Sequence, residues 1–330
     1  MPIPIPQFRR QTKNGSGGSR TQTSFVRSQL ILFQSRKKWG MLYSMATVAG
    51  LLCVPGVLIA MGSETNILTF AHIVMPLPLI SLLVATGMYI LNDLVDADLD
   101  RANGKNRPIP SGLVSKRQAW IFIAGTNGAA VLLSIATLNL TSMIIIVPML
   151  AIGIMYSAPK TAFMNRFVVK TLSIAAFYML CALLGVMSSY GMDLAFSNPA
   201  VPVYAMVMLG IMIFISSTLN DLGDIEGDRA AGRHTIPIVL GGNNTIKMMM
   251  VLAASMLFTS WALYGVSVNI GIAMTLGTSL FALLVINRLL QMRKRLDDLE
   301  MELMRKHHKK LFPLHLVLQL NLAVGTILLL

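Results

Sequence analysis

Nine mainly apolar stretches of about 20 residues each occupy most of this 330-residue chain. A helix that crosses a bilayer needs about 20 such residues, and a helix satisfies its own backbone hydrogen bonds in the absence of water. The stretches cover residues 40–62, 68–91, 118–137, 140–156, 168–189, 200–219, 246–265, 267–288 and 312–330. The sequence therefore predicts an all-α polytopic membrane protein with nine transmembrane helices.

The distribution of positive charge predicts how these helices are oriented. The chain has 27 Lys and Arg residues, and the segments 63–67, 138–141, 189–200 and 265–268 contain none of them. Because cytoplasmic loops carry the excess of Lys and Arg, these four segments are predicted to lie outside the cell. The protein is then a multi-pass protein of the cell membrane, with a cytoplasmic N-terminus and an external C-terminus.

The net charge of +13 indicates a basic cytoplasmic face that attracts anionic membrane lipids and anionic substrates. No nucleic-acid partner is expected, since the basic residues are spread over every inner loop rather than grouped with aromatic residues. Cys53 and Cys181 lie inside apolar stretches without metal-ligand spacing, so packing is their predicted role. A homo-oligomer is compatible with this pattern.

Three segments differ in composition from the apolar stretches. Residues 1–24 are rich in Pro, Gly, Ser and Arg and are predicted to form a disordered basic tail, which leaves residues 25–330 as one membrane domain. Residues 25–38 are predicted to form a short interfacial helix. Residues 289–311 are predicted to be a charged inner connector between the eighth and ninth spans.

Two acidic motifs follow the second and sixth apolar stretches. They run from Asn92 to Arg101 and from Asn220 to Arg229, and together they hold eight of the 14 acidic residues. The motifs begin 128 residues apart (92 to 220) and four spans apart, so both have the same orientation. We expect two pseudo-repeat halves with a site between them.

On a continuous helix each motif presents an acidic stripe. At about 100° per residue, Asp98 and Glu226 point away from the other acidic residues. The residues that share a face are Asn92, Asp93, Asp96, Asp100, Asn220, Asp221, Asp224 and Asp228. Solvated helix ends are the simplest alternative, but acidic groups at a helix C-terminus oppose the helix dipole. Carboxylate and amide oxygens at a water-accessible helix end suit Mg²⁺, which keeps waters and bridges to phosphates.

Basic residues of the cytoplasmic loops are predicted to accompany these motifs. The candidates are Arg36, Arg101, Arg107, Lys160, Arg229 and Arg233. Tyr156 adds a phenol four residues before Lys160. Each basic residue alone is explained by the positive-inside rule, but together they indicate a site for a metal and a diphosphate.

The two motifs resemble those of a known family. The UbiA superfamily of intramembrane prenyltransferases has nine spans around a central cavity, with motifs N-D-x-x-D-x-x-x-D and D-x-x-D-x-x-x-D after the second and sixth spans. Here the motifs run from Asn92 to Asp100 and from Asp221 to Asp228. The resemblance extends over about residues 30–330.

This resemblance implies Mg²⁺-dependent transfer of an isoprenyl group from its diphosphate, with two Mg²⁺ ions predicted. The implied metal site consists of Asn92, Asp96, Asp224 and Asp228, supported by Asp93, Asp100 and Asp221. The implied diphosphate site consists of Tyr156, Lys160 and an Arg of the first helix, Arg36. The loop cations Arg107, Arg229 and Arg233 are predicted from their charge to bind the diphosphate as well. Asp100, Tyr156 and Lys160 are the residues predicted to act in catalysis. Metal and cations would stabilise the leaving diphosphate, and an apolar chamber would shelter the allylic cation.

The acceptor is predicted from the same resemblance. The segment from Asp224 to Pro237 looks most like the branch that makes digeranylgeranylglyceryl phosphate, by attack of a lipid hydroxyl on a geranylgeranyl donor. The run from Asn106 to Gly112 is shared with that branch, but also with chlorophyll-type and some quinone-pathway enzymes, which prenylate aromatic acceptors. Asn220 stands where the lipid branch often has a Lys. A lipid acceptor is the first hypothesis, and an aromatic acceptor is the alternative.

Two other functions use the same motifs. A terpene cyclase of the same family would ionise the diphosphate and quench the cation internally. A divalent-cation transporter would need ionisable residues deep in the membrane, yet the middles of the nine stretches contain no Asp, Glu, Lys or Arg. Isoprenyl transfer is therefore the leading hypothesis.

Overall fold

The chain folds into helices throughout the part that the structure describes. This computed structural model describes residues 24–35, 39–61, 66–102, 107–197, 199–230, 232–266, 270–294, 296 and 301–328. The helices are α1 (Phe25–Ser35), α2 (Trp39–Met61), α3 (Ile67–Val74), α4 (Pro76–Val95), α5 (Ala97–Ala102), α6 (Lys116–Ala136), α7 (Leu140–Ser157), α8 (Val169–Ser197), α9 (Ala200–Leu222), α10 (Ile225–Ala230), α11 (Ile236–Leu240), α12 (Gly242–Val266), α13 (Ile272–Arg293) and α14 (Met301–Ile327). A 3-10 turn, Phe163–Asn165, lies between α7 and α8.

Eight spans in the described part of the chain are long and apolar enough to cross a membrane. They comprise the combined α3 and α4, then α6, α7, α8, α9, α12, α13 and α14. The remaining predicted stretch corresponds to α2, an apolar helix of 23 residues. The prediction of an all-α, multi-pass membrane protein is confirmed, and each predicted stretch coincides with a helix.

Polar caps and a proline determine where several helices begin. α6 starts with a capping box, in which the Ser115 side chain accepts from the Gln118 amide and the Gln118 side chain accepts from the Ser115 amide. The Asn139 side chain accepts backbone N–H groups at the start of α7. Pro76, at the first position of α4, lacks an N–H to donate to α3. The second span is therefore two helices with a break between them.

The nine long helices of the described chain form a closed ring in sequence order. α2 packs on α4, and the series continues through α6, α7, α8, α9, α12 and α13 to α14, which returns to α2. The first long helices of the two halves, α2 and α8, also pack on each other across the ring. Gly185 permits this approach, because a Cβ there would stand 2.5 Å from the Ala49 carbonyl oxygen of α2.

The two ends of the ring differ in chemistry. Both acidic motifs lie at the C-terminal ends of α4 and α9, and we call this the acidic end. At the opposite end, the buried Tyr204 hydroxyl hydrogen-bonds with Ser260 at 2.5 Å and Thr278 at 2.9 Å, which links α9, α12 and α13. Trp261 and Tyr264 pack edge-on near the end of α12, as expected at a membrane interface.

The segments outside the spans agree in part with the sequence predictions. α1 occupies most of the predicted interfacial helix over 25–38 and packs on α6. The predicted tail, residues 1–24, lies outside the described residues except for Ser24. Much of the predicted connector 289–311 is helical, since α13 continues to residue 293 and α14 begins at residue 301.

Candidate active site

The first acidic motif lies at the end of α4 and in the short helix α5. The Asp96 amide donates to the Asn92 carbonyl at 2.9 Å, and the Asp100 amide donates to the Asp96 carbonyl at 2.8 Å. Helical hydrogen bonding therefore continues through the bend after α4, and residues four apart stay on one face. The side chains of Asp93, Asp96 and Asp100 are buried.

Arg107 neutralises the first motif from the loop that follows it. Its Nη1 lies 2.7 Å from Asp93 Oδ1 and 2.6 Å from Asp100 Oδ2. The loop directly after Arg107 is closed by a hydrogen bond of 3.0 Å, which the Val114 amide donates to the Pro108 carbonyl. The Arg107 side chain is 31% exposed, so solvent and ligands can reach the guanidinium.

The second acidic motif bends more sharply than the first. After α9 ends, the Asp224 amide donates to the Asp221 carbonyl three residues back, at 3.1 Å. Four-residue spacing resumes where the Asp228 amide donates to the Asp224 carbonyl at 2.9 Å. Asp221 and Asp228 are buried, whereas Asp224 is exposed. The continuous helix assumed for the motifs is therefore wrong: α4 and α9 both end within them, with breaks at Asp96 and Gly223.

A buried lysine that the sequence interpretation missed neutralises the second motif. Lys170, in the first turn of α8, places Nζ 2.7 Å from Asp221 Oδ1 and 3.4 Å from Asp228 Oδ2. Lys170 is buried, and only 9% of the residue is exposed. A signal was present, because Lys170 is the only charged residue in the stretch 168–189, where a charge needs a partner.

Arg233 connects the two motifs. Its Nη2 lies 2.8 Å from Asp96 Oδ2, and its Nη1 lies 3.3 Å from Asp228 Oδ1. Burial alone lowers the pKa of this guanidinium, but the charges of Asp96 and Asp228 outweigh burial and raise the pKa above its ordinary value. Arg233 is thus a permanent cation between the repeat halves, and the two motifs face one site.

Of the other residues predicted to bind the diphosphate, one lies beside the site and two lie at its surface. Tyr156, at the end of α7, lies within electrostatic range of Arg233 and of buried carboxylates from both motifs. Lys160 and Arg229 are exposed, and the ion pairs among the residues that the structure describes do not include them. Arg36 lies outside the described residues. The structure therefore places Tyr156 beside the site and leaves Lys160 and Arg229 at its surface.

Asp98 and Glu226 lie on the outer side of the two motifs, as their angular positions on a helix predict. Asp98 is exposed and pairs with Arg101 at 3.1 Å and Lys116 at 3.2 Å. The hydrogen bond and the charge of Lys116, followed by Arg101, lower the pKa of Asp98. Glu226 is also exposed. Arg101, a candidate for substrate binding, contacts Asp98 and the Pro110 carbonyl instead.

Two further predicted metal ligands have local contacts of their own. The Asn92 amide nitrogen lies 2.9 Å from the Met164 sulfur, in the 3-10 turn before α8. The Asp224 carboxylate folds over Gly227, so that its Oδ1 is 2.9 Å from where a Cβ at position 227 would stand. A side chain at this position would therefore displace the Asp224 carboxylate.

The charges at this site suit a hard divalent cation. The buried carboxylates are Asp93, Asp96, Asp100, Asp221 and Asp228, and their cations are Arg107, Lys170 and Arg233. Five buried carboxylates of the described chain thus gather around three described cations. Asp221 Oδ2 is buried and has no hydrogen-bond partner among the described residues.

A metal at this site would need ligands besides the carboxylates of the described chain. No three acidic, His or Cys side chains in the described ranges are close enough to hold an ion by themselves. Mg²⁺ keeps several waters and needs only one or two carboxylates when a phosphate supplies other ligands. The oxygen-rich residues of the two motifs therefore fit Mg²⁺ together with a phosphate-containing ligand.

Known proteins are similar to this chain in sequence and in fold. The model of the UbiA prenyltransferase family matches residues 46–309. Digeranylgeranylglyceryl phosphate synthase of Methanopyrus kandleri is 28% identical over 179 residues, which are 54% of this chain and 62% of that protein. The synthase of the same name from Methanoregula boonei is 33% identical over 204 residues, which are 61% of this chain and 66% of that protein. The chain thus spans less than two thirds of either relative.

One solved structure is that of a UbiA homologue from Archaeoglobus fulgidus bound to GPP and Mg²⁺. It has a TM-score of 0.61 and 17% sequence identity to this chain, and the match covers 88% of this chain and 99% of that chain. At this identity the likeness shows that the fold is shared.

Proposed function

The chain belongs to the UbiA prenyltransferase family, and from that premise we propose that it transfers an isoprenyl group from its diphosphate to a lipophilic acceptor. The observation that carries the proposal is the ion-pair network at the acidic end, where Arg233 joins Asp96 to Asp228 across the two halves. A diphosphate can bind there while its apolar chain lies in the bundle. The isoprenyl diphosphate is thus the donor partner.

Two arginines are placed to exchange carboxylates for a diphosphate. Arg107 holds Asp93 and Asp100, and Arg233 holds Asp96 and Asp228, all through hydrogen-bonded ion pairs of 2.6 to 3.3 Å. A guanidinium can donate to phosphate oxygens in the same forked geometry. Both arginines are more exposed than the carboxylates that they hold, so a ligand that enters from the acidic end meets them first.

Mg²⁺, when bound, would be held by Asn92, Asp96, Asp224 and Asp228 and would supply Lewis-acid stabilisation of the leaving diphosphate. The clustering of carboxylate oxygens from both motifs supports at least one such ion. A diphosphate brings further negative charge, which supports two ions. The Archaeoglobus fulgidus homologue with GPP and Mg²⁺ supports the same pairing of metal and donor.

The chemical step breaks the bond between C1 of the isoprenyl group and the diphosphate oxygen. We expect Arg107, Arg233 and the Tyr156 hydroxyl to stabilise the negative charge that develops on the leaving group. The acceptor hydroxyl then bonds to C1, an ether forms, and the hydroxyl proton and diphosphate are released. The apolar interior of the helix ring excludes water, which would otherwise capture the allylic cation.

Geranylgeranyl diphosphate and geranylgeranylglyceryl phosphate are the donor and acceptor that we favour. The relatives from Methanopyrus kandleri and Methanoregula boonei are named for a product that has two geranylgeranyl chains. The segment from Asp224 to Pro237 resembles the same branch of the family. The concentration of Lys and Arg in the loops of the acidic end supports a cytoplasmic location for the site.

Product analysis tests this proposal. The purified full-length protein is incubated with Mg²⁺ and labelled geranylgeranyl diphosphate, and it receives geranylgeranylglyceryl phosphate, an aromatic acceptor or no acceptor. We expect digeranylgeranylglyceryl phosphate and diphosphate only with the lipid acceptor, and amounts of both that are lower by about 100-fold or more from the Asp96→Ala variant. A product formed only with the aromatic acceptor would overturn the choice of a lipid acceptor. A cyclic product formed without any acceptor would overturn the assignment as a transferase. Absence of diphosphate release would overturn the proposed prenyltransferase chemistry.

A further inference from the structure

Lys170 differs from the other cations of the site in where it comes from. Arg107 and Arg233 belong to loops that follow the motifs, whereas Lys170 belongs to a membrane-spanning helix of the second half. The Lys170 side chain is 11% exposed, compared with 31% for Arg107. A buried ammonium inside a span is costly unless it is paired, so its position implies a definite role.

Lys170 divides the oxygens of the second motif into two sets. Its ammonium donates hydrogen bonds to Oδ1 of Asp221 and to Oδ2 of Asp228. The other oxygen of Asp228 pairs with Arg233, which also reaches Asp96 of the first motif. The other oxygen of Asp221 is buried and has no hydrogen-bond partner in the described part of the chain. Lys170 thus holds one oxygen of each carboxylate, while the second oxygen of Asp228 is held by Arg233 and the second oxygen of Asp221 has no described partner.

From this division of oxygens we propose that Lys170 is a positioning residue, which orients Asp221 and Asp228 for metal binding without touching the metal or the substrate. This role rests on the proposed function. A partner that holds one oxygen of a ligating carboxylate fixes the direction of the other oxygen and so determines the affinity for the metal. Without Lys170 the two carboxylates repel each other and turn towards other donors.

The structure also separates this role from binding of diphosphate. An ammonium has three N–H donors, and two of those of Lys170 are directed to the buried carboxylates. To reach a diphosphate, Lys170 would have to leave the buried Asp221 without its cation and Asp228 with Arg233 alone, which is strongly destabilising. Arg107 and Arg233 are more exposed and can change partners with less cost. Lys170 therefore stays with the second motif when the loop arginines move.

Mn²⁺ binding, measured by electron paramagnetic resonance on the full-length protein in nanodiscs with and without geranylgeranyl diphosphate, tests the proposal. Lys170→Met is compared with Lys170→Arg and with Lys247→Met, which removes an exposed lysine near the start of another span, α12. We expect Lys170→Met to weaken Mn²⁺ binding by about tenfold or more, the usual effect of losing a partner of a metal ligand. Lys170→Arg and Lys247→Met should bind within about threefold of the unaltered protein, a difference of less than 1 kcal/mol.

Mg²⁺ dependence of diphosphate release provides a second readout. In Lys170→Met the Mg²⁺ concentration for half-maximal rate should rise by about tenfold, while kcat at saturating Mg²⁺ should stay within about threefold. A purely structural defect would lower kcat at every Mg²⁺ concentration and would overturn the proposal. If Lys170→Met does not fold, as judged by thermal unfolding, Lys170→Gln is measured in the same way.

The outcomes separate this proposal from the proposed function. Equal Mn²⁺ affinity in the unaltered protein and in folded Lys170→Met overturns the role of Lys170 and leaves the transferase intact. Absence of Mn²⁺ binding in the unaltered protein, with or without geranylgeranyl diphosphate, overturns the metal-dependent function and this role together.

Discussion

The two acidic motifs are nearly the same in sequence but are neutralised in different ways. The first is paired with Arg107, a half-buried loop residue only 14 residues from Asp93. The second is paired with Lys170, a buried residue of a spanning helix that is 51 residues from Asp221. Arg233 belongs to both motifs, since it joins Asp96 and Asp228.

This difference indicates a division of labour between the repeat halves. The cation of the first motif is reachable from the acidic end and can exchange its carboxylates for a substrate anion. The cation of the second motif is enclosed and keeps its carboxylates in place. The duplicated motif thus has a reachable cation in one half and an enclosed cation in the other.

The largest effect should follow from removing a carboxylate of the facing pair. Asp96→Ala and Asp228→Ala each remove one end of the Arg233 bridge and one proposed metal ligand. We expect kcat/KM for diphosphate release to fall by about 10²- to 10³-fold, the scale of losing one group that stabilises developing charge. Release of labelled diphosphate measures this loss. A fall in only one of the two variants would contradict a site shared by both halves.

Arg233 should matter more than Arg107, because Arg233 contacts both motifs. Arg233→Gln removes two charge-assisted hydrogen bonds between the halves, and we expect a 10- to 100-fold rise in KM for the donor, or about 1.5 to 3 kcal/mol. Arg107→Gln should raise KM by roughly tenfold or less, at the lower end of the same range. Steady-state kinetics with varied donor separates the two. Equal rises in KM for Arg233→Gln and Arg107→Gln would mean that the two halves are neutralised in the same way.

A smaller effect should follow from adding a methyl group at Gly227. The new Cβ would meet the Asp224 carboxylate at 2.9 Å and move it. We expect Gly227→Ala to raise the Mg²⁺ requirement by roughly two- to fivefold, equal to about 0.5 to 1 kcal/mol. Titration of activity with Mg²⁺ measures this change. Gly125→Ala is the control, because a Cβ there would meet nothing within 4 Å. If Gly125→Ala raised the Mg²⁺ requirement more than Gly227→Ala, the result would be explained by helix propensity rather than by movement of Asp224.

The smallest effect is expected for the acidic residues that face outward. Asp98 is exposed and bound to surface cations, and Glu226 is exposed on α10. Asp98→Ala and Glu226→Ala should therefore retain kcat/KM within about twofold, as for other surface substitutions. The same diphosphate-release assay measures them. Losses as large as those of Asp96→Ala would show that the whole acidic sequence, rather than its inner face, forms the site.

The apolar stretches and the spacing of the motifs predicted much of this architecture. Each stretch needs about 20 apolar residues to cross a bilayer, and that requirement is local enough to be found in the sequence. The 3.6-residue period predicted that Asp98 and Glu226 point outward, because helical hydrogen bonding is largely kept through both motifs. The prediction of a continuous helix failed at Asp96 and Gly223, where α4 and α9 end.

The partners of the carboxylates could not be predicted, because they depend on how distant helices pack. Lys170 and Asp221 are 51 residues apart, and Arg233 and Asp96 are 137 residues apart. No periodicity in the sequence encodes such pairs. The positive-inside rule explained every loop cation equally well, so it could not separate Arg107 and Arg233, which contact the motifs, from the exposed Arg229.

A double-mutant cycle tests most directly whether the two motifs form one site. Asp96→Asn, Asp228→Asn and the double variant are compared by kcat/KM for diphosphate release from geranylgeranyl diphosphate. If both carboxylates act on one metal and diphosphate site through Arg233, the double variant should be no worse than the worse single variant. Losses that multiply in the double variant would mean that the motifs act independently, which would contradict a shared site.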